Sequence, residues 1–245
     1  SRIILDIQKS NIPYIVIPRS TLTKKAQKHN QKKKIIGNFL YFNQMLRRAA
    51  GIQYLTQKEF DESGVKWNKN AFIIPNGIYL PHKKKMYFNS GSIKATYIGR
   101  YEIYQKGLDL LLEGVYLAKN KLRESNFKLS MYGVDQEGSI QKMEDLILQY
   151  GISDIVSIYD SVVGEDKKKV LLDSDVFIMT SRFEGFSMGL IEALAYGIPC
   201  AVTEGTNMRN IIRDCNAGWE LSSIGKSLVY IANELKRDYT VLRTK

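Results

Sequence analysis

The chain has 245 residues, 44% of them hydrophobic, enough to build a substantial core in one large or two modest domains. Lysine and arginine exceed aspartate and glutamate by 36 − 25 = 11, which favours anionic partners (nucleic acid, an acidic membrane surface or a phosphorylated small molecule) without choosing among them. No apolar run approaches the ~18 residues that span a bilayer, Ser1-Arg2-Ile3 lacks the architecture of a signal peptide, and Cys200 and Cys215 form neither a paired metal motif nor a disulfide framework, so the default address is the cytoplasm.

In chain order, Ile12 to Ile17 reads as a buried strand and Lys24 to Lys34 as a basic cluster. Phe39 to Ala50 reads as a helix ending at Gly51, and Ile52 to Thr56 and Phe72 to Ile74 as short strands. Pro75-Asn76-Gly77 is turn chemistry, and His82 to Gly91 is polar, basic and without period, as expected of an interdomain linker. With about 80 residues before it, the first segment is small for an independent α/β domain. The expected organisation is therefore a partial, truncated N-terminal domain over 1–80, a linker over 81–92 and a larger domain over 93–245.

From Ala95 onward, β-rich runs alternate with stretches of helical period, the pattern of a doubly wound α/β domain with a parallel sheet. The runs are Ala95 to Gly99, Phe127 to Tyr132, Ile155 to Tyr159, Val176 to Thr180 and Cys200 to Thr203. Leu108, Leu111, Leu112, Val115 and Ala118 mark one helix between them; Met143, Leu146, Ile147 and Tyr150 mark another; Val170 and Leu171 belong to a shorter one.

Open parallel sheets bind ligands outside the carboxyl ends of their strands. Gly99 and Arg100 follow the first run, Gly133 the second, Ser181 to Ser187 the fourth, and Glu204 to Thr206 the fifth, so distant parts of the sequence should share one rim. Beyond the fourth run, Ser187 suits an N-cap, Gly197 a C′ residue and Pro199 a terminator, which predicts a helix from about Met188 to Tyr196. Met188, Ile191, Leu194 and Ala195 are expected on its buried face, with Glu192 at the edge of that stripe. Unpaired amides in the first turn suit phosphate, while Glu192, ~6 Å along the axis from Met188 at ~1.5 Å per residue, could accept hydrogen bonds from a ribose on the same ligand. Glu184 would face the ligand's other end. A diphosphate carries about two charges against about half a charge from a helix terminus, so Arg100 and Lys106 are the candidate cations.

Gly99-Arg100, then Gln105-Lys106-Gly107, then the pair Glu184 and Glu192 around Gly185-Phe186 resemble the nucleotide-sugar site of the glycosyl transferases group 1 family, retaining enzymes of GT-B fold. The resemblance runs from about Ile93 to Trp219, with a weaker match at Ile12-Pro13-Tyr14 to Pro18-Arg19 and at Ile74 to Ile78. It implies a Rossmann-like C-terminal donor domain after a partial N-terminal one. Arg100 and Lys106 would bind the diphosphate, Glu192 the ribose, and Glu184 with the backbone of Gly185, Phe186, Ser187 and Met188 the sugar and phosphates; Gly99 and Gly133 would line the donor site. Arg100, Lys106 and Glu184 are the residues expected to act in catalysis. Ser187 and Ser20 stand where the family often has glycine, and the family's glycine-rich loop and active-site histidine have no counterpart in the sequence, so the acceptor half of the active site is expected to be absent and the chain on its own inactive.

The reaction implied moves a sugar from a nucleotide diphosphate sugar to the hydroxyl of a carbohydrate or lipid-linked acceptor with retention, in cell-surface polysaccharide or glycolipid synthesis. UDP-sugar is preferred to GDP-sugar on prevalence in the family, and neither metal nor cofactor is expected. Asp173-Ser174-Asp175 reads as loop and cap chemistry rather than a metal motif, and His29 and His82 as surface residues. Lys83 to Lys85 and Lys167 to Lys169 read as solvated faces. Nucleic acid is disfavoured because no basic stretch is interleaved with aromatics. Peripheral contact with an anionic inner membrane face through Lys24, Lys25, Lys28, Lys32, Lys33 and Lys34 is kept open, with core packing preferred to lipid contact for Phe39, Leu40, Tyr41 and Phe42. The rival readings are a sugar phosphorylase and a non-catalytic nucleic-acid or membrane adaptor on the same fold.

Overall fold

The structure, a computed structural model, describes residues 6–7, 9–10, 12–28, 35–63, 65–85 and 91–237. The basic cluster at 29–34, including His29, and the linker residues 86–90 lie outside the described residues. The chain divides into two compact units, Ser1–Gly77 with Glu184–Phe186, and Ile78–Phe183 with Ser187–Lys245.

In the first unit, β1 (Ile15–Val16), α1 (Lys24–Lys28), α2 (Asn43–Arg48), β2 (Gly51–Tyr54), α3 (Gln57–Ser63) and β3 (Ala71–Ile73) follow one another. The three strands pair in parallel in the order β1-β2-β3, with Ile15 opposite Gly51 and Ile52 opposite Ala71. Leu22, Leu46, Ile52, Tyr54 and Trp67 form its core. The helix expected over Phe39 to Ala50 is divided: Asn38–Phe42 forms a π-helical turn and α2 ends at Arg48. Gly51 opens β2 instead of capping the helix, where a Cβ would lie 3.0 Å from the Phe72 ring and 3.1 Å from the carbonyl oxygen of Asn70. Glycine therefore admits the neighbouring strand. The preference for core packing of the aromatic run is corrected: Phe39, Tyr41 and Phe42 are exposed, as are Ile35 and Ile36.

The second unit runs β4 (Ile93–Ile98), α4 (Ile103–Lys106), α5 (Leu108–Glu124), β5 (Phe127–Gly133), α6 (Ser139–Tyr150), β6 (Val156–Asp160), α7 (Gly164–Asp173), β7 (Val176–Met179), α8 (Met188–Ala195), β8 (Cys200–Val202), α9 (Arg209–Asp214), β9 (Gly218–Glu220) and α10 (Ile224–Arg237). All six strands are parallel, in the order β6-β5-β4-β7-β8-β9, so the sequence of strands reverses between β4 and β7. Such a reversal opens a crevice at the carboxyl ends of the strands. Ile93, Ala95, Tyr97, Phe127, Leu129 and Met131 turn one face of β4 and β5 into a core shared with Leu108, Leu111, Leu112, Val115 and Leu228.

Before β4 the chain is pinned to the sheet by a buried ion pair. Lys85 Nζ lies 2.8 Å from Asp175 Oδ1, the second oxygen of Asp175 accepts from the Lys94 amide at 2.9 Å, and the Lys85 amide donates to the carbonyl of Tyr196 at 2.8 Å. Asp173 meets Lys94 Nζ at 2.7 and 2.8 Å. Both aspartates of the Asp-x-Asp sequence are thus answered by lysine. Among the described residues no helix is long and apolar enough to cross a membrane, and no group of three or more His, Cys, Asp and Glu is placed to hold a metal ion.

Candidate functional site

The glycines at the ends of β4 and β5 let two backbones meet. A Cβ on Gly133 would lie 2.1 Å from the carbonyl oxygen of Gly99, and one on Gly99 2.6 Å from the Tyr97 hydroxyl. Any side chain at 133 would have to displace the backbone at 99. Arg100 emerges at this junction, exposed, with Nη1 donating to Gln136 Oε1 at 3.2 Å and its own carbonyl accepting from Tyr97 Oη at 2.8 Å.

Lys106 closes α4, a single turn whose N-cap, Glu102, accepts from the Gln105 amide at 2.6 Å. Gly107 then adopts a left-handed conformation, φ 61°, and its position holds no room for a side chain, because a Cβ would sit 2.2 Å from the carbonyl oxygen of Thr180. Thr180, just past β7, donates from Oγ1 toward the carbonyls of Lys106 and Gly107 at 3.1 and 3.0 Å. Lys106 is itself buried.

The loop after β7 is stapled to the same turn. The Arg182 amide donates to the Gln105 carbonyl at 2.8 Å, and its guanidinium makes two 2.7 Å bonds to the carboxylate of Asp109 and one of 2.9 Å to the Tyr104 carbonyl. The bonds it donates to Asp109 hold the Arg182 pKa above its ordinary value. The guanidinium also lies 4.7 Å from the centroid of the Tyr104 ring. Thr203, following β8, joins the loop by donating to the Ser181 carbonyl at 2.8 Å. Arg182 was not among the residues singled out in the sequence, although it stands two positions before Glu184.

The helix α8 begins as its sequence predicts. Ser187 is its N-cap, extended at φ −85°, ψ 110°, with Oγ accepting from the Leu190 amide at 3.4 Å, and Gly197 follows at φ 75°. Its buried face is different from the expected one. Leu190 and Ala193 are fully buried, whereas Met188 is exposed and Ile191, Leu194 and Ala195 are half-buried. Gly189 explains the orientation: a Cβ there would lie 3.0 Å from the Ile98 carbonyl oxygen and 3.3 Å from the Phe177 ring, so the first turn of α8 rests on the end of β4 through its bare backbone. Ile98 immediately precedes Gly99 and Arg100. The junction of Gly99, Arg100 and Gly133 and the amino end of α8 are therefore neighbours, and the Lys106 turn joins the loop that leads into the helix.

Glu192 is half-buried and paired with Lys167 of α7, a lysine read from the sequence as part of a solvated face. A run of three lysines gives no sign of which one turns inward; the pairing depends on the helix α7 lying beside α8. Glu184 and Gly185 are buried and Phe186 half-buried; these three residues group with the first unit. In the second unit Gly99, Arg100 and Gly133 thus meet at the ends of β4 and β5 and the helix opened by Ser187 rests on the end of β4, while Lys106 is buried in the turn tied to the loop after β7 and Glu192 is engaged by Lys167.

Known proteins resemble the chain in sequence and in fold. Residues 81–223 match the family described as Glycosyl transferases group 1. The chain is 32% identical over 102 residues to the mannosylfructose-phosphate synthase of Agrobacterium fabrum, covering 40% of this chain and 22% of that protein. It is 34% identical over 112 residues to the lipopolysaccharide 1,6-galactosyltransferase of Escherichia coli, covering 42% and 28%. It spans half or less of the length of such relatives. Among solved structures, Anabaena Alr3699/HepE in complex with UDP-glucose superposes with a TM-score of 0.77 at 14% identity over 96% of this chain and 65% of that one. WaaG, a glycosyltransferase involved in lipopolysaccharide biosynthesis, superposes with a TM-score of 0.73 at 17% identity over 95% and 72%. The fold is therefore of GT-B type, and with a match over more than half of its length the chain belongs to the glycosyl transferases group 1 family.

Proposed function

We propose that the chain carries the donor side of a retaining glycosyltransferase, which moves a sugar from a nucleotide diphosphate sugar, UDP-sugar in preference to GDP-sugar, to a hydroxyl of a carbohydrate or lipid-linked acceptor. Cell-surface polysaccharide or glycolipid synthesis is the process in which its relatives' names put such chemistry. The observation that carries the reading is the seating of Gly189 on the Ile98 carbonyl, which sets the amino end of α8 beside the strand end that bears Arg100.

When the bond between sugar and diphosphate breaks, negative charge grows on the leaving phosphate and positive charge on the sugar ring. Groups that stabilise the transition state more than the ground state must meet the growing anion. Arg100, Lys106 and the unpaired amides of the first turn of α8 are suited to it. The helix supplies about half a unit of charge, so most of the neutralisation falls to the two side chains. Glu192 would accept hydrogen bonds from the pentose, with Lys167 holding its carboxylate in place. Glu184, Gly185 and Phe186 would contact the transferred sugar. The departing phosphate would assist removal of the proton from the acceptor hydroxyl.

A peripheral membrane contact is part of the same proposal: Ile35, Ile36, Phe39, Tyr41 and Phe42 are exposed in a segment that follows the Lys24 to Lys34 cluster. The decisive test compares ligands on one variant. Arg100→Ala should weaken UDP binding at least tenfold and leave uridine binding within a factor of two or so; equal losses would remove Arg100 from the phosphate site. No binding of any nucleoside diphosphate or its sugars, alongside salt-sensitive DNA binding, would favour the adaptor reading instead.

A further inference from the structure

One turn of the first unit gathers two unfavourable features and a cation. Arg19 and Ser20 are both left-handed, at φ 48° and 67°, and the Thr21 amide closes the turn on the Pro18 carbonyl at 3.1 Å. Two consecutive residues of positive φ are the place for Asn-Gly or Gly-Gly. Arginine and serine gain nothing from that conformation. The turn persists because a fully buried carboxylate holds it: Glu59 accepts from the Ser20 amide with one oxygen and from the Leu55 amide, at 2.8 Å, with the other.

The second unfavourable feature is the hydroxyl of Ser20, buried in a residue 7% exposed and without a hydrogen-bond partner among the described residues. Thr21 and Thr23 beside it donate to the carbonyls of Pro18 and Ser20 at 2.7 and 2.8 Å. Ser20 Oγ lies instead against Gly185, where a Cβ would stand 2.7 Å from it and 3.2 Å from the carbonyl carbon of Arg19. Gly185 groups with this unit, together with Glu184 and Phe186. Arg19 itself is exposed, and its guanidinium has no partner among the described residues. A lone exposed arginine is ordinarily just part of the surface. This one stands on a strained turn, next to an orphaned hydroxyl, and such costs gather at binding sites.

We propose that Arg19 and Ser20 together bind an anionic substituent, phosphate or carboxylate, on a sugar seated beside Glu184–Phe186. The choice of a sugar rests on the donor reading above, in which those three residues contact the transferred sugar while Arg100, Lys106 and α8 answer the diphosphate. The charge on Arg19 is then surplus to the diphosphate and selects a further anion, carried by the transferred sugar or by the acceptor. A guanidinium offers such a group two parallel N–H donors. The serine hydroxyl would gain from it the partner that it lacks.

Calorimetric titration of the full chain supplies two comparisons: UDP-glucuronate against UDP-glucose, for an anion on the transferred sugar, and glucose 6-phosphate against glucose with UDP present, for one on the acceptor. In one of them the anionic sugar should bind at least tenfold more tightly than the neutral one, and more tightly than inorganic phosphate. Arg19→Gly and Ser20→Ala should each remove most of that preference without lowering the melting temperature, since glycine relieves the turn and alanine removes the unpaired hydroxyl. No preference in either comparison, a preference that survives Arg19→Gly, phosphate binding as tightly as the anionic sugars, or a fall in melting temperature for both variants would each overturn the proposal. UDP affinity in the same samples reports on the donor site separately. Its absence would count against the donor reading, whereas normal UDP binding with indifference to the anion would remove this inference alone.

Discussion

Lys85 contributes to stability through a charge that water does not reach. Its side chain is 2% exposed and that of Asp175 fully buried. Truncating one partner leaves the other as an uncompensated buried ion, and such losses run to about 3–5 kcal/mol. Lys85→Met should therefore lower the melting temperature of the second unit sharply, and the double variant Lys85→Met, Asp175→Leu should recover part of the loss, both read by calorimetry. Nothing in the run Lys83 to Lys85 distinguishes the third lysine from its neighbours; its partner lies 90 residues away, which is why the sequence suggested only a solvated face. Cys200 and Cys215 differ in the opposite direction. Burial pushes the Cys200 thiol far above its ordinary pKa, and Cys215 is exposed. Since the thiolate is the reactive form, iodoacetamide at mildly alkaline pH should label Cys215 in the folded protein and reach Cys200 only after denaturation, as peptide mass mapping would record.

The link between α4 and α5 depends on glycine for two reasons at once. Gly107 occupies the left-handed region, where other residues cost about 1–3 kcal/mol, and it faces the Thr180 carbonyl at a distance that excludes a Cβ. Gly107→Ala should destabilise by more than the backbone cost alone and should also reduce UDP affinity, because Lys106 is held by the same turn. Loss of stability with unaltered UDP affinity would separate Lys106 from the donor site. The boundaries of α8 were legible because capping is local chemistry: Ser187 at one end and Gly197 with Pro199 at the other fix them. Its buried face was not legible. Met188, Leu190, Ile191, Leu194 and the alanines make the helix apolar nearly all round, so period alone has little to choose between, and the choice is made by Gly189 meeting Ile98 at the end of β4. The three-residue β9 escaped notice for a related reason, since Gly218-Trp219-Glu220 is a strand only by virtue of its pairing with β8.

At the scale of the whole molecule, the alternation of strands and helices from Ala95 onward specified the larger sheet, and spaced motifs specified the family. The first unit was harder to read because its strands are two to four residues long, too short for a period to show. An excess of 11 positive charges acts on every anionic ligand, so binding data need a salt series to separate a general attraction from a built site. Thermal shift offers the simplest measure. UDP at about 100 times its dissociation constant should stabilise the chain by roughly 2.7 kcal/mol, with the gain persisting at raised ionic strength; a shift abolished by modest salt would indicate loose association with the basic surface.

Arg182 has a mechanical consequence. Its guanidinium fork grips Asp109 while its amide holds Gln105, so the segment leading out of β7 and the start of α5 lack separate hinges. Tension applied to either is shared by both. Any displacement of the loop is thereby handed to the opening turn of a seventeen-residue helix.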